Sequence, residues 1–129
     1  MLHRDYIEEM IEDFCQKVTD PLEEVIVDRD PAKLQVAEAA VAGFINMTPE
    51  HALCLNPASF VTMMRLTGIG SALAEYAAFT LYKVSQVYEA MGDENLAQLR
   101  REQALGLAEA YQVDPLKAPR GMEGCSLEP

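Results

Sequence analysis

Residues 71–113 read SALAEYAAFTLYKVSQVYEAMGDENLAQLRREQALGLAEAYQV, and the fold follows from this stretch. Leu73, Ala77, Leu81, Val84, Tyr88 and Met91 recur at spacings of three and four, one apolar stripe on a helix. Gly92 follows, where a left-handed C-cap is wanted. Asp93 suits an N-cap, its carboxylate accepting from exposed amides of the next turn. The stripe resumes with Leu96, Ala97, Ala104, Leu107, Ala108 and Tyr111. Met91-Gly92-Asp93 leaves room only for an antiparallel hairpin. Ala77, Ser85, Ala97, Ala104 and Ala108 fall where the two helices touch. Such small side chains let the axes approach toward the close end of about 8–10 Å.

Working outward, residues 2–18 form a first helix with Ile7, Met10, Ile11, Phe14 and Val18 as its buried stripe. Glu8, Glu9, Glu12 and Asp13 form the opposite, solvated face. A carboxylate metal site there is rejected because the chain has no Glu-x-x-His, the spacing di-iron bundles use. A capping residue followed by proline recurs at Asp20-Pro21, Asp30-Pro31, Thr48-Pro49, Asn56-Pro57 and Asp114-Pro115. Proline fits the first helical position and pushes the residue before it into cap geometry. The first four pairs therefore predict helix starts. The helix from Asp20-Pro21, with Glu23 at the capping-box spacing, runs to about Val27 or continues the first helix with a kink. An alanine-rich helix follows over 31–46, poor in charge and so central. One or two turns are expected over 49–55 and a short helix over 57–66, with Gly68 and Gly70 turning into the hairpin. Val25-Ile26-Val27 is the only β-branched run and is too short for a strand. The expectation is an all-α, single-domain bundle of about five or six helices. A helical domain spans 1–113. A tail over 114–129, rich in proline and glycine, is loose or lies along a neighbouring surface, with Cys125 exposed.

The net charge of −11, with 21 acidic against 10 basic residues, opposes nucleic-acid binding and an anionic membrane surface. A basic partner, or simple solubility, fits it. No leader pattern opens the chain, and no apolar run is long enough to span a bilayer. Three cysteines, Cys15, Cys54 and Cys125, are an odd number without framework spacing, which points to a reducing cytoplasm.

Candidate chemistry is sparse. His51 and Cys54, three apart, could join Cys15 or Cys125 around zinc, but no second ligand pair exists. His3, near Asp5 and Tyr6, stands at the chain end, a poor place for proton transfer. Cys15 lies among Glu12, Asp13 and Lys17, and Cys125 beside Glu123, neither a setting that lowers a thiol pKa. Ser71 follows no strand, so it is not a nucleophile elbow. Gly68-Ile69-Gly70 lacks the strand, spacing and lysine of a phosphate loop. The sequence assigns no catalytic residue, no metal ligand and no cofactor.

Leu81, Val84, Ser85, Tyr88, Gly92, Ala97, Ala104 and Leu105 resemble the core pattern of one tetratricopeptide repeat. Arg101 stands where the second helix usually has an aromatic, and Glu109 near the place of the closing proline. One such unit makes a hairpin within a larger bundle, since repeat arrays need about three. The opening, with Asp5-Tyr6-Ile7 and then Glu8, Met10, Ile11 and Glu12, together with Tyr88-Glu89-Ala90-Met91-Gly92-Asp93, resembles a family of short bacterial all-helical proteins built on a domain of unknown function. That resemblance implies an all-helical fold and no known activity. The tetratricopeptide resemblance implies that Phe79, Tyr82, Lys83, Gln86 and Glu89 form a partner-binding face, because the corresponding surface holds peptides in such arrays. The competing reading packs Phe79 and Tyr82 beneath the N-terminal helices.

The functional expectation is a small, non-catalytic cytoplasmic adaptor or scaffold-like protein whose partner is another protein or a second copy of itself. The alternative is a small-molecule or lipid-binding bundle with an apolar pocket among Phe60, Met63, Met64 and the hairpin. Seven methionines would make that pocket adaptable.

Overall fold

In the computed structural model, residues 4–28 and 30–126 are described, with side chains from Tyr6 onward. His3, the expected helix start at residue 2, and Pro129 lie outside them. Six α-helices follow in order: α1 (Arg4–Asp28), α2 (Pro31–Gly43), α3 (Pro49–Ala52), α4 (Pro57–Leu66), α5 (Ser71–Ala90) and α6 (Glu94–Tyr111). A 3₁₀ turn, Glu123–Cys125, lies in the tail. No strand occurs among the described residues, so the fold is an all-α bundle.

The ends of the helices carry the expected chemistry. Asp30 and Asn56 cap α2 and α4, their side chains accepting from the Ala32 and Ser59 amides at 3.0 and 2.8 Å. Thr48 sits at the start of α3 with no such cap bond, its hydroxyl instead lying 2.8 Å from His51 Nδ1. α4 and α5 end in the same way. At Gly68 and Gly92, φ is +78° and +85°. The Gly68 and Gly92 amides donate to Arg65 and Glu89, and the next amides, Ile69 and Asp93, to Met64 and Tyr88. This closes the last helical carbonyls while glycine alone enters the left-handed region freely. Asp93 then accepts from the Leu96 amide and opens α6.

At Asp20-Pro21 the chain takes the second of the two expected courses, a continuation of the first helix. Asp20-Pro21 does not begin a helix: α1 runs through Pro21 as 25 continuous residues. Proline within a helix costs about 3 kcal/mol. Leu22, Val25 and Ile26 lie beyond it and are all buried, extending the stripe of Phe14 and Val18. Each such burial returns about 1.5–3 kcal/mol, so together they outweigh the proline. Two ends also differ: α2 stops at Gly43, with Asn46 in a left-handed turn at φ 55°, and α3 stops at Ala52.

α5 and α6 form the antiparallel hairpin, and Ala77, Ser85, Ala97, Ala104 and Ala108 are all buried in it. α1 and α2 pack together and against α5, and α4 packs on α6. Phe14 stacks on Phe44 with ring centres 4.9 Å apart and meets Tyr76 edge-on at 6.1 Å, tying α1, the end of α2 and α5 into one core. α4 comes close to α6 at Gly106, where an added Cβ would lie 3.3 Å from Pro57 Cβ. Gly92→Ala places a Cβ in the left-handed region and should lower unfolding stability by roughly 1–2 kcal/mol in a urea titration, with the helical content of the folded state unchanged.

Candidate functional site

The helices converge on a buried polar cluster. Glu38 of α2 is the one charged residue between Leu34 and Met47, and it is only 5% exposed. Arg100 of α6 donates to its carboxylate from Nε at 2.6 Å. Tyr88 of α5 donates its hydroxyl to the same carboxylate, 3.0 and 3.1 Å from the two oxygens. The Arg100 guanidinium also lies 5.9 Å from the Tyr88 ring centre. Beyond it, Arg100 Nη1 reaches the Leu53 carbonyl at 2.9 Å. Gln103 Nε2 donates to the Leu53 and Leu55 carbonyls at 3.1 and 2.8 Å. A four-residue α3 cannot satisfy its own terminal carbonyls, and α6 does so from the side.

A cleft of about 350 Å³ opens beside the cluster, lined by Gln35, Glu38, Ala39, Pro49, Glu50, Leu53 and Arg100. Burial pushes the Tyr88 phenol well above its ordinary range, and the adjacent Glu38 carboxylate adds to this. The cluster is built as a clamp between helices.

The residues expected to form a partner face do not share one environment. Phe79 is completely buried within the core. Lys83 is 5% exposed, its ammonium 5.9 Å from the Phe79 ring centre. Tyr82 is half-buried and packs against the core, and Gln86 is half-buried. Glu89 is exposed and pairs with Arg101 at 3.0 Å. That pair gives Arg101 a role across the hairpin.

Beside this face lies the tail. Tyr76 donates its hydroxyl to the Arg120 carbonyl at 2.6 Å, and Lys83 Nζ reaches the Ser126 carbonyl at 3.5 Å. From α1, Thr19 Oγ1 donates to the Gly121 carbonyl at 3.4 Å. The Cys125 thiol in turn donates to the Thr19 carbonyl at 3.3 Å. Met122 and Cys125 are fully buried, so the expectation of an exposed Cys125 is overturned. The tail has no apolar period to announce this, because both anchors lie on a single turn. Two glycines bring its backbone against α1. A Cβ on Gly121, at φ +95°, would stand 3.1 Å from Cys15 Sγ, and one on Gly124 would stand 2.8 Å from Glu23 Oε2.

The other sequence candidates are scattered. His51 and Cys54 are exposed on and just after α3, whereas Cys15 and Cys125 lie at the contact of α1 with the tail. No group of three or more His, Cys, Asp or Glu side chains suited to a metal ion occurs among the described residues. Burial raises the Cys15 thiol pKa, and the Glu123 carboxylate adds to it. Burial, then Glu23, pushes the Cys125 thiol up to about 11. Phe60 and Met64 are fully buried in the core and Met63 is half-buried against it, so the expected pocket among them is packed with their own side chains. No helix among the described residues is long and apolar enough to cross a membrane. Comparison with protein-family models, curated proteins and solved structures gave no match to this chain.

Breaking the clamp from one side should be costly. Glu38→Ala leaves Arg100 buried and unpaired, and about 3–5 kcal/mol of stability should be lost in denaturant titration. Replacing both charges, Glu38→Leu with Arg100→Met, should recover most of that loss. Equal destabilisation by the single and double variants would contradict a paired clamp.

The tail carries a pH dependence of its own. The docked Cys125 thiol titrates near 11 against an ordinary 9.0, so the undocked tail loses its proton first as pH rises. Docking is therefore at full strength below about pH 8.5 and weakens toward 11. Tail protection measured by proteolysis should fall over that window in the natural chain. Lys83, Glu23, Asp20 and Cys15 surround the thiol, so Cys125→Ala is the control and should flatten the fall. An identical profile in Cys125→Ala would contradict the assignment to this thiol.

Proposed function

We infer that this chain is a small, non-catalytic protein-interaction module that works in the cytoplasm and takes polypeptide on the face formed by α1 and α5. The observation that carries the reading is the seating of the tail there: Tyr76, Thr19 and Lys83 hold the carbonyls of residues 120, 121 and 126. Main-chain bonds combined with a few buried side chains are a recurring way of holding a peptide. The tetratricopeptide resemblance of α5–α6 implies a peptide-holding surface that shares Lys83 with this face. Three free cysteines fit a reducing compartment. A small-molecule pocket has less support, because Phe60 and Met64 fill the space they would have to line.

Of the expected face, Tyr82 is the position to probe. Phe79→Ala would remove a core ring at about 3–5 kcal/mol and would confound folding with binding. A photo-crosslinking phenylalanine analogue at position 82, with the same group at exposed Thr62 on α4 as control, should be irradiated in lysate of the source cells. The reading expects a discrete protein adduct from position 82 and none from 62. No adduct from 82, or the same adducts from both, would contradict it.

A further inference from the structure

We propose that residues 119–126 are the resident occupant of a groove meant for exchange. The external occupant is a polypeptide segment of the same chemistry, a tight bend with glycine, an apolar residue, glycine and a small residue at the spacing of Gly121, Met122, Gly124 and Cys125. This rests on the interaction-module reading above and names the partner of the same face.

The groove reads shape and main chain. Its donors, Tyr76, Thr19 and Lys83, meet carbonyls that any residue supplies. Side-chain selection comes from two places only. Pro119 is buried, and Met122 and Cys125 fill fully buried positions. Gly121 and Gly124 lie where an added Cβ would crowd Cys15 and Glu23. A segment with bulk at the first glycine is rejected, because its positive φ and the Cys15 sulfur both oppose a side chain.

The resident segment is attached so that it can leave. Between α6 and Pro119 the main-chain bonds are local, Val113 to Ala108, Leu116 to the Asp114 carboxylate, and Lys117 to the Asp114 carbonyl, and Val113 and Ala118 rest partly buried against the core. The connection starts at Gln112 in the left-handed region, φ 56°, and Leu116 within it is 64% exposed. The bend itself is internally braced, with the Gly121 amide donating to both Glu123 carboxylate oxygens at 3.1 and 2.9 Å. That bond also lowers the Glu123 pKa. Residues 119–126 are thus a preformed unit on a short tether.

The same helix, α5, holds an unsatisfied polar group. Thr80 lies between Tyr76 and Lys83 on the same stripe of α5, is fully buried, and its hydroxyl has no hydrogen-bond partner. A segment that supplied one would gain roughly five- to hundredfold in affinity. Such a gain is needed, because a short tether holds the resident at an effective concentration on the order of millimolar.

The test uses the full chain and a fluorescein-labelled peptide of residues 118–126 with Cys125→Ala. Met122→Asp in the protein puts a charge at a fully buried position and should expel its own tail. The peptide should bind that variant at least tenfold tighter than the natural chain in fluorescence polarisation, and the Gly121→Val peptide should bind neither. Equal peptide affinity for a folded variant and the natural chain overturns the proposal. If the variant does not fold, the natural chain decides. Millimolar peptide should speed thiol labelling of Cys125 by about tenfold while leaving exposed Cys54 unchanged, and no acceleration overturns the proposal. A specific adduct from position 82 without peptide exchange sinks the exchange and leaves the interaction module standing.

Discussion

Glu38 and Arg100 stand 62 residues apart in sequence and are held 2.6 Å apart in a site almost closed to water. Neither charge is tolerable there alone, since removing an ion's water costs several kcal/mol that only a close partner with good geometry offsets. The pair is completed by the Tyr88 hydroxyl and, through Arg100 and Gln103, by the carbonyls at the end of α3. One cluster therefore fixes α2, the α3–α4 connection, α5 and α6 relative to one another. An apolar contact would allow sliding. A set of directed bonds on a single carboxylate does not, and the small-residue faces of the hairpin can then pack in one register.

This arrangement separates the molecule into two parts with different energetics. The clamp, the hairpin and the aromatic contacts of Phe14, Phe44 and Tyr76 form a scaffold whose bonds are short and buried. The tail adds to that scaffold with three buried residues, Pro119, Met122 and Cys125, and a few carbonyl bonds, among them longer ones of 3.4 and 3.5 Å. Segments with few buried contacts open at lower free energy than the core they sit on. The face below the tail carries Tyr76 and Lys83, whose side chains meet the tail's carbonyls.

Much of this was legible in the sequence where the physics is local. Gly92 and Asp93 announced the hairpin because a left-handed turn and a cap each need a particular residue. The same holds for Asp30-Pro31, Thr48-Pro49 and Asn56-Pro57, which open α2, α3 and α4. Asp20-Pro21 carries the same local signal and opens nothing, because burial of Leu22, Val25 and Ile26 overrides it. Glu38 stands as the lone charge between Leu34 and Met47, but its need for a partner becomes plain only once it is buried. Nothing local identifies Arg100 as that partner over neighbouring Arg101. The tail was least legible: Met122 and Cys125 make no periodic pattern, and the two glycines acquire their meaning only against Cys15 and Glu23. Lys83 and Phe79 are one turn apart on α5 and in contact, and the packing that buries them comes from the fold as a whole.

Native-state hydrogen exchange, resolved by residue or short peptide, tests the two-part account most directly. Amides of 121–126 should exchange through an opening that leaves the protection of α5 and α6 intact, and rising denaturant should release the hairpin only with global unfolding. Exchange of the tail and the hairpin in one cooperative step would contradict it, and would make the tail an integral part of the core.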